Sequence, residues 1–206
     1  MAQFFTIHPD NPQERLVRQA ADIIRDGGVV VLPTDSCYAL VCALGDKKAM
    51  ERIITIRHLD LRHHFTLLCH NLSELGLYAK VDNSQFRLLK AATPGSYTFI
   101  LPATKEVPAR TLHPKRKTIG LRVPDHAIAQ AVLCEVGEAL LSCTLMLPGE
   151  DEPLTDAYDI RDRLEHQVDA VIDGGWCGTE ATTVIDMTDG LELLRQGKGD
   201  VAPFGL

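Results

Sequence analysis

Three polar side chains at the end of an apolar run, Thr34, Asp35 and Ser36, are candidates for binding a small ligand. The run at residues 29–32 follows two glycines and stops at Pro33, a pattern that predicts a strand buried on both faces. Open α/β sheets bind ligands at the carboxyl ends of such strands, where hydroxyls and free backbone amides lie close together. The alternative is a loop in which an Asx or hydroxyl turn caps the next element. These residues on their own favour that alternative.

The guanidinium of Arg122 is a second group that could do chemistry. It lies between Leu121 and Val123 in a predicted strand with apolar flanks. A charge buried in such surroundings is strongly destabilising unless an anion pairs with it. The sequence therefore favours Arg122 as a ligand-binding residue.

Charge is distributed unevenly along the chain. The 206 residues carry a formal net charge of −7, which argues against a protein that coats nucleic acid in general and against a DNA partner. Two basic segments could nevertheless form one concave surface that concentrates anions. The first contains Arg57, His58, Arg62, His63 and His64, and the second contains Lys105, Arg110, His113, Lys115, Arg116, Lys117 and Arg122. The alternative is a pair of solvated basic loops, and charge counting alone favours it.

Cysteine usage and hydropathy indicate the cellular compartment. The six cysteines are scattered without the paired spacing of metal ligands, so reduced core thiols are expected rather than a disulfide or a metal site. No apolar run is long enough to span a bilayer, and residues 1–5 lack the features of a signal peptide. The sequence therefore predicts a cytoplasmic protein with no membrane partner.

The elements that must position these groups can be read from periodicity. Helices are predicted at residues 12–26, 46–57, 71–78, 83–92, 128–136 and 155–164. Strands are predicted at residues 29–32, 65–69, 96–102, 118–123, 140–147, 170–173, 182–186 and 192–195. With 45% hydrophobic residues the chain can bury one large core. The prediction is a single mixed α/β (α+β) domain on a twisted, mixed sheet flanked by helices, with residues 29–32, 97–101, 119–123 and 140–143 as core strands.

Five motifs in this order resemble those of a known family. Residues 32–40 are similar to P-T-(D/E)-T-x-Y-G-L, and residues 94–101 are similar to P-G-x-x-T-x-I-L. Residues 118–124 match an R-x-P strand, residues 182–186 match S-T-V-V-D, and residues 194–197 match L-R-x-G. The chain thus resembles the YrdC-like domains, the threonylcarbamoyl-adenylate synthases, and most closely their YciO branch. The resemblance covers residues 14–198 and leaves residues 1–13 and 199–206 as terminal extensions.

The resemblance implies a reaction and its substrates. In this family, threonine and bicarbonate form a carbamate that attacks the α-phosphorus of ATP. The products are pyrophosphate and threonylcarbamoyl-AMP, a precursor of a modified adenosine in tRNA. The implied enzyme class is a nucleotidyltransferase that uses ATP with Mg²⁺ as substrate and holds no tightly bound cofactor. Such a displacement needs positioned ligands and neutralised phosphate charge rather than a strong nucleophile, so no catalytic residue is assigned.

Matching positions carry the family's ligand contacts onto this chain. The resemblance places three residues at the amino acid: Thr34, Arg122 and Thr182. It implies that Arg122 binds the carboxylate of the amino acid in bidentate geometry. It places five residues at ATP: Arg57, His63, Thr118, Thr144 and Arg195.

Three of these positions also have simple structural alternatives. Arg57 could interact with the C-terminus of its own helix. Thr144 could be a core hydroxyl bonded to the backbone, and His63 could be an exposed loop residue.

Three positions depart from the family pattern. The motif K-x-R falls at residues 57–59, where Leu59 replaces the second cation, and S-x-N falls at residues 144–146, where Met146 replaces the amide. A family histidine that contacts the amino acid falls at Leu68. The pocket loses a cation, an amide and an imidazole, which implies activity that is weak or redirected.

Three classes of function follow from these observations. The first is an ATP-using synthase, or a relative that acts on another amino acid or carbamoyl compound. The second is a module that binds double-stranded RNA or tRNA in the basic concavity without catalysis, and the third is a sensor of a small ligand. Aromatic residues make up 5% of the chain, which offers little stacking surface for RNA bases.

Overall fold

Strands and helices alternate along the chain in a computed structural model that describes residues 1–60 and 63–206. The strands are β1 Gln3–Thr6, β2 Val30–Leu32, β3 Ala39–Ala43, β4 Thr66–Leu68, β5 Tyr97–Pro102, β6 Thr118–Arg122, β7 Leu140–Thr144, β8 Ala170–Asp173, β9 Thr183–Asp186 and β10 Glu192–Arg195. The α-helices are α1 Glu14–Arg25, α2 Lys47–Arg57, α3 Leu72–Tyr78, α4 Asn83–Ala92, α5 Ala127–Val136 and α6 Ala157–Leu164. Arg62, one of the predicted basic residues, lies outside the described residues.

The described strands form one ten-stranded sheet in the order β1-β8-β2-β3-β7-β4-β6-β5-β9-β10. The sheet is mixed, because β8 pairs in parallel with β1 and β2 while β3 pairs antiparallel with β2 and β7. The four predicted core strands correspond to β2, β5, β6 and β7 and all lie in this sheet. The prediction of a single mixed α/β domain is therefore confirmed.

Two strands lie outside the predicted set. β1 belongs to residues 1–13, the predicted N-terminal extension, and pairs in parallel with β8. Only Phe5 of β1 is buried, so the strand leaves little periodic signal. β3 follows the polar turn with a run of small and apolar residues that does not alternate.

Strand alternation divides the core between the two faces of the sheet. On one face, α2, α3, α4 and α6 pack in a cluster that includes Ile53, Leu75 and Leu89. On the other face, α1 and α5 contribute Ile24 and Val132 to a second cluster. None of the buried residues of this second cluster comes from β5, β6 or β9. Side chains of those three strands line a cavity instead.

Helix α2 brings Arg57 to that cavity. Its N-cap residue Asp46 accepts a 2.9 Å hydrogen bond from the backbone N–H of Ala49. The helix ends at Arg57 because His58 adopts a left-handed conformation with φ 49°. Arg57 therefore lies at the helix C-terminus, where the helix dipole favours a cation, and at the cavity as well.

Candidate functional site

A cavity of about 650 Å³ opens on the sheet face beyond β4. Gly120 on β6 pairs with Thr66 on β4 and Ile100 on β5, and Thr66 pairs with Ser142 on β7. Residues paired across neighbouring strands share a face, and these four form the cavity floor. A Cβ atom at Gly120 would lie 3.1 Å from Thr66 Oγ1 and 3.3 Å from Thr98 Cγ2. Glycine at this position therefore keeps the floor open.

The structure brings most of the predicted site residues to this cavity. It is lined by Arg57, His63, Thr118, Arg122, Thr144, Thr182 and Arg195. Thr34 is buried and does not line the cavity, but its Oγ1 accepts a 3.2 Å hydrogen bond from Arg122. The roles of these residues in binding ligands stay predictions.

Two of the structural alternatives fit the local environment poorly. Thr144 is exposed, so it is not a core hydroxyl. His63 is partly buried, and its ring lies edge-on to Phe65 with the centroids 5.3 Å apart. Both side chains line the cavity.

The cavity lining is strongly basic. Among the described residues, its arginines, histidines and carboxylates are Arg57, Arg116, Arg122, Arg195, His63, His64, His113 and a single carboxylate, Asp151. The other described members of the two basic segments do not line it: His58, Lys105, Arg110, Lys115 and Lys117. A concave site with this balance of charge concentrates anions even on an acidic protein.

Arg122 is held by the loop that follows β2. Its Nη2 donates to the Asp35 carboxylate and, at 3.2 Å, to Thr34 Oγ1. The side chains of Arg122 and Asp35 are each 9% exposed. Burial by itself would raise the pKa of Asp35, but the Arg122 charge and hydrogen bonds from Ser96 and Arg122 bring it below its ordinary value. The anion that a buried Arg122 requires is thus Asp35.

One N–H group of each cavity arginine near the floor remains without a partner. The Nε atoms of Arg122 and Arg57 are buried and have no hydrogen-bond acceptor among the described residues. An unpartnered buried donor is costly, and native structures contain few. Both side chains line the cavity, so an anion bound there would lie beside these arginines. Arg122 can therefore face a ligand while Asp35 holds it in place.

The loop that carries Asp35 is itself a hydroxyl turn. Thr34 Oγ1 donates to the carbonyl oxygen of Cys37 at 2.6 Å and accepts from the backbone N–H of Ser36 at 3.2 Å. The turn anticipated as an alternative to ligand binding is therefore present. It also positions Asp35 against Arg122, so the local turn and the site share the same residues.

Arg195 and Thr182 form another part of the cavity lining. Thr182 Oγ1 lies 2.8 Å from Thr98 Oγ1, and both hydroxyls are buried. Arg195 donates from Nε and Nη2 to the carbonyl oxygen of Thr182 at 3.0 and 2.9 Å. Nη2 also donates to Thr182 Oγ1 at 3.3 Å, so Thr182 anchors one edge of the guanidinium.

Gly197→Ala should destabilise the protein and displace Arg195. A Cβ atom at Gly197 would lie 2.2 Å from the carbonyl oxygen of Ala181, so the backbone must shift. We expect the free energy of unfolding, measured by urea denaturation, to fall by about 1–3 kcal/mol. Gly76→Ala in α3 is the control, because no atom lies within 4 Å of its added Cβ. Equal stability of the two variants would contradict the close approach.

A wall of three side chains, His64, His113 and Arg116, closes another side of the cavity and is named the histidine wall. The rings of His64 and His113 stack with centroids 4.9 Å apart. Burial, and after it the neighbouring His113 and Arg116, lower the pKa of His64. Burial, Arg57 and His64 do the same for the pKa of His63. The predicted site residues did not include this wall, although its members belong to the predicted basic segments.

The three departures from the family pattern occupy different environments. Met146 lines the cavity. Leu59 is partly buried against the core on the face of α2, α3 and α4. Leu68 is buried on β4, where it pairs with Arg122 and packs in the cluster of α1 and α5. Only Met146 of the three is thus an apolar residue on the cavity lining.

Among the described residues, no helix is long and apolar enough to cross a membrane.

Comparison with known proteins gives consistent results. Residues 22–197 match the family model Sua5/YciO/YrdC, which carries the description telomere recombination. The YciO protein of Escherichia coli K12, described as uncharacterized, is 59% identical over 99% of this chain and 100% of its own length. Its crystal structure superposes with a TM-score of 0.95, again covering 99% of this chain and all of that chain.

More distant relatives include named enzymes. The threonylcarbamoyl-AMP synthase of Vibrio cholerae O395 is 26% identical over 88% of this chain and 97% of its own. The crystal structure of P. abyssi Sua5 complexed with L-threonine has a TM-score of 0.86 at 25% identity, covering 94% of this chain and 57% of that chain. These matches agree, and the chain belongs to the Sua5/YciO/YrdC family.

Proposed function

We propose that the protein binds ATP together with an amino acid or a related carbamoyl compound and forms an adenylate with release of pyrophosphate, in the cytoplasm. The observation that carries this proposal is the cavity itself, on which seven of the residues expected at the amino acid and ATP converge. The Vibrio cholerae relative is a threonylcarbamoyl-AMP synthase, and P. abyssi Sua5 was crystallised with L-threonine. Both support an amino acid and an adenylate as the chemistry of this site.

In the proposed complex the arginines of the cavity have different tasks. Arg122, held by Asp35, binds the carboxylate of the amino acid, near the hydroxyl of Thr182. Arg57 and Arg195 neutralise phosphate charge, which arises on the transferred group and on the leaving pyrophosphate. The residues thereby position the carbamate oxygen against the α-phosphorus, and Mg²⁺ enters with ATP as part of the substrate.

The substrate preference is proposed to differ from that of the synthases. Met146 places an apolar side chain on the lining where the family uses an amide, and Leu68 stands beside Arg122 where the family uses an imidazole. Fewer polar groups reach the reacting atoms, so threonine turnover is weak or another amino acid is preferred. A site loses affinity steeply for a substrate whose polar groups find no partner.

The test is a pyrophosphate-release screen with ATP, Mg²⁺, bicarbonate and each common amino acid in turn. Release that requires both bicarbonate and one amino acid supports the proposal. Arg57→Gln should weaken this release, because it removes a cation from the cavity lining. Absence of release with every amino acid, together with absence of ATP binding by calorimetry, would refute it.

RNA binding is the second candidate, and the exposed cations outside the cavity favour it. Lys105, Lys115 and Lys117 are exposed and lie on the segment that also carries His113 and Arg116. Binding through such cations would ignore sequence and weaken steeply with salt. Tight, salt-sensitive binding of a double-stranded RNA by a protein that releases no pyrophosphate would favour this candidate over the synthase.

A further inference from the structure

We propose that the histidine wall of His64, His113 and Arg116 binds the terminal phosphates of a polyphosphate chain, and so replaces the cation that Leu59 does not supply. This inference rests on the proposed function, since it concerns the nucleotide of that reaction. None of the three residues belongs to the five motifs by which the chain resembles its family. The wall is a property of this chain's own loops.

The hydrogen bonds of His113 fix which ring nitrogen faces outward. Its Nδ1 accepts from the backbone N–H groups of Lys115 at 3.2 Å and Arg116 at 3.0 Å. A neutral imidazole that accepts at Nδ1 carries its proton on Nε2. His113 therefore offers a fixed N–H donor at the cavity without needing a positive charge.

Arg116 is oriented by a buried carboxylate. Its Nη2 donates to Asp186 Oδ2 at 2.8 Å, and the Asp186 side chain is 3% exposed while that of Arg116 is 46% exposed. Asp186 thus holds one end of the guanidinium, and the rest of it faces the cavity. Such a pre-positioned arginine suits phosphate because its planar donors match two phosphate oxygens.

The charges that face the wall determine its pH dependence. Arg57 and His63 also line the cavity, Asp186 pairs with Arg116, and Asp151 is the single carboxylate on the described lining. Burial and these cations lower the pKa of His63 and His64, so both rings are neutral at neutral pH. A bound polyanion would favour their charged forms, because a nearby opposite charge raises the pKa of a histidine. Polyphosphate binding should therefore take up protons and strengthen as the pH falls.

The probe is inorganic tripolyphosphate, titrated by calorimetry at pH 6 and pH 8 in buffers of different ionisation enthalpy. For the unmodified protein we expect uptake of protons, after subtraction of those that free tripolyphosphate itself binds between pH 6 and pH 8, and binding about tenfold tighter at pH 6, since one charge-assisted hydrogen bond is worth about that factor. The double variant His64→Asn with His113→Asn removes two donors of the wall, so it should bind tripolyphosphate more weakly and keep only the part of the pH difference that comes from His63. Asparagine keeps an acceptor near the position of Nδ1, so the turn at residues 113–116 can persist.

His166→Asn is the matched control, because its side chain is 74% exposed at the end of α6 and does not line the cavity. Weaker binding in the double variant alone supports the wall. Unchanged binding in the double variant, an equal loss in the control, or failure of tripolyphosphate to bind the unmodified protein each overturns it. If the double variant does not fold, as judged by circular dichroism, Arg116→Gln takes its place, and unchanged tripolyphosphate binding by Arg116→Gln overturns the wall.

The two proposals fail separately. Tripolyphosphate binding that depends on the wall, without pyrophosphate release from ATP, would leave the wall in place and refute the synthase. Amino-acid-dependent release of pyrophosphate, combined with normal tripolyphosphate binding by the double variant, would support the synthase and refute the wall.

Discussion

Leu59→Arg combined with Met146→Asn should raise threonine-dependent pyrophosphate release by about two to four orders of magnitude over the unmodified chain. The two replacements restore a cation and an amide at the positions where the family has them. A charge-assisted hydrogen bond is worth about 1.5–3 kcal/mol, and both bonds count fully only if they act in the transition state. The measurement is the steady-state rate of release with ATP, Mg²⁺, bicarbonate and threonine.

The single variants separate the two contributions. Met146→Asn changes a residue on the cavity lining, whereas Leu59→Arg also removes a side chain that packs against the core. Leu77→Arg is the control for the added charge, because Leu77 is 60% exposed on α3 and does not line the cavity. An unmodified protein that already turns over at about 1 per second or more would show that other groups compensate for the departures, and the histidine wall is the first candidate.

Arg122→Met should both destabilise the fold and abolish binding of the carboxylate ligand. Removing one partner of a buried ion pair leaves an uncompensated charge, here that of Asp35, and typically costs about 3–5 kcal/mol. We expect this loss in the free energy of unfolding measured by urea denaturation at pH 7. Adding Asp35→Asn should recover much of the stability, because the buried carboxylate is then gone, while ligand binding should stay lost.

The pair also predicts the acid dependence of stability. The pKa of Asp35 in the folded protein lies below its ordinary value, so the unfolded chain binds the proton more readily. The stability from this carboxylate is fully present above its unfolded pKa of about 3.9 and is lost as the pH falls through the lower folded value. Arg122→Met with Asp35→Asn should lack this component. Normal binding of the ligand by that double variant would show that Arg122 acts only in the fold.

The sequence by itself determined the fold class and predicted seven of the residues that line the cavity. Local patterns were sufficient for β2, β5, β6 and β7, because each is a long apolar or alternating run bounded by glycine or proline. The order of the motifs was sufficient to predict seven residues that line one cavity. β1 and β3 were missed because a short edge strand with one buried residue and a strand of small residues carry almost no periodic signal.

Only the tertiary structure decided how the charged groups are paired. The partner of Arg122 is Asp35, which is 87 residues away in the chain and on a loop whose strand β2 is separated from β6 by three strands of the sheet. The histidine wall likewise joins His64 to His113 through the stacking of two loops. Neither pairing can be predicted from residue types, because an ion pair or a ring stack depends on where two distant segments of the chain meet. Burial then decides the consequence, since a charge that water would screen at the surface must find its partner inside the protein.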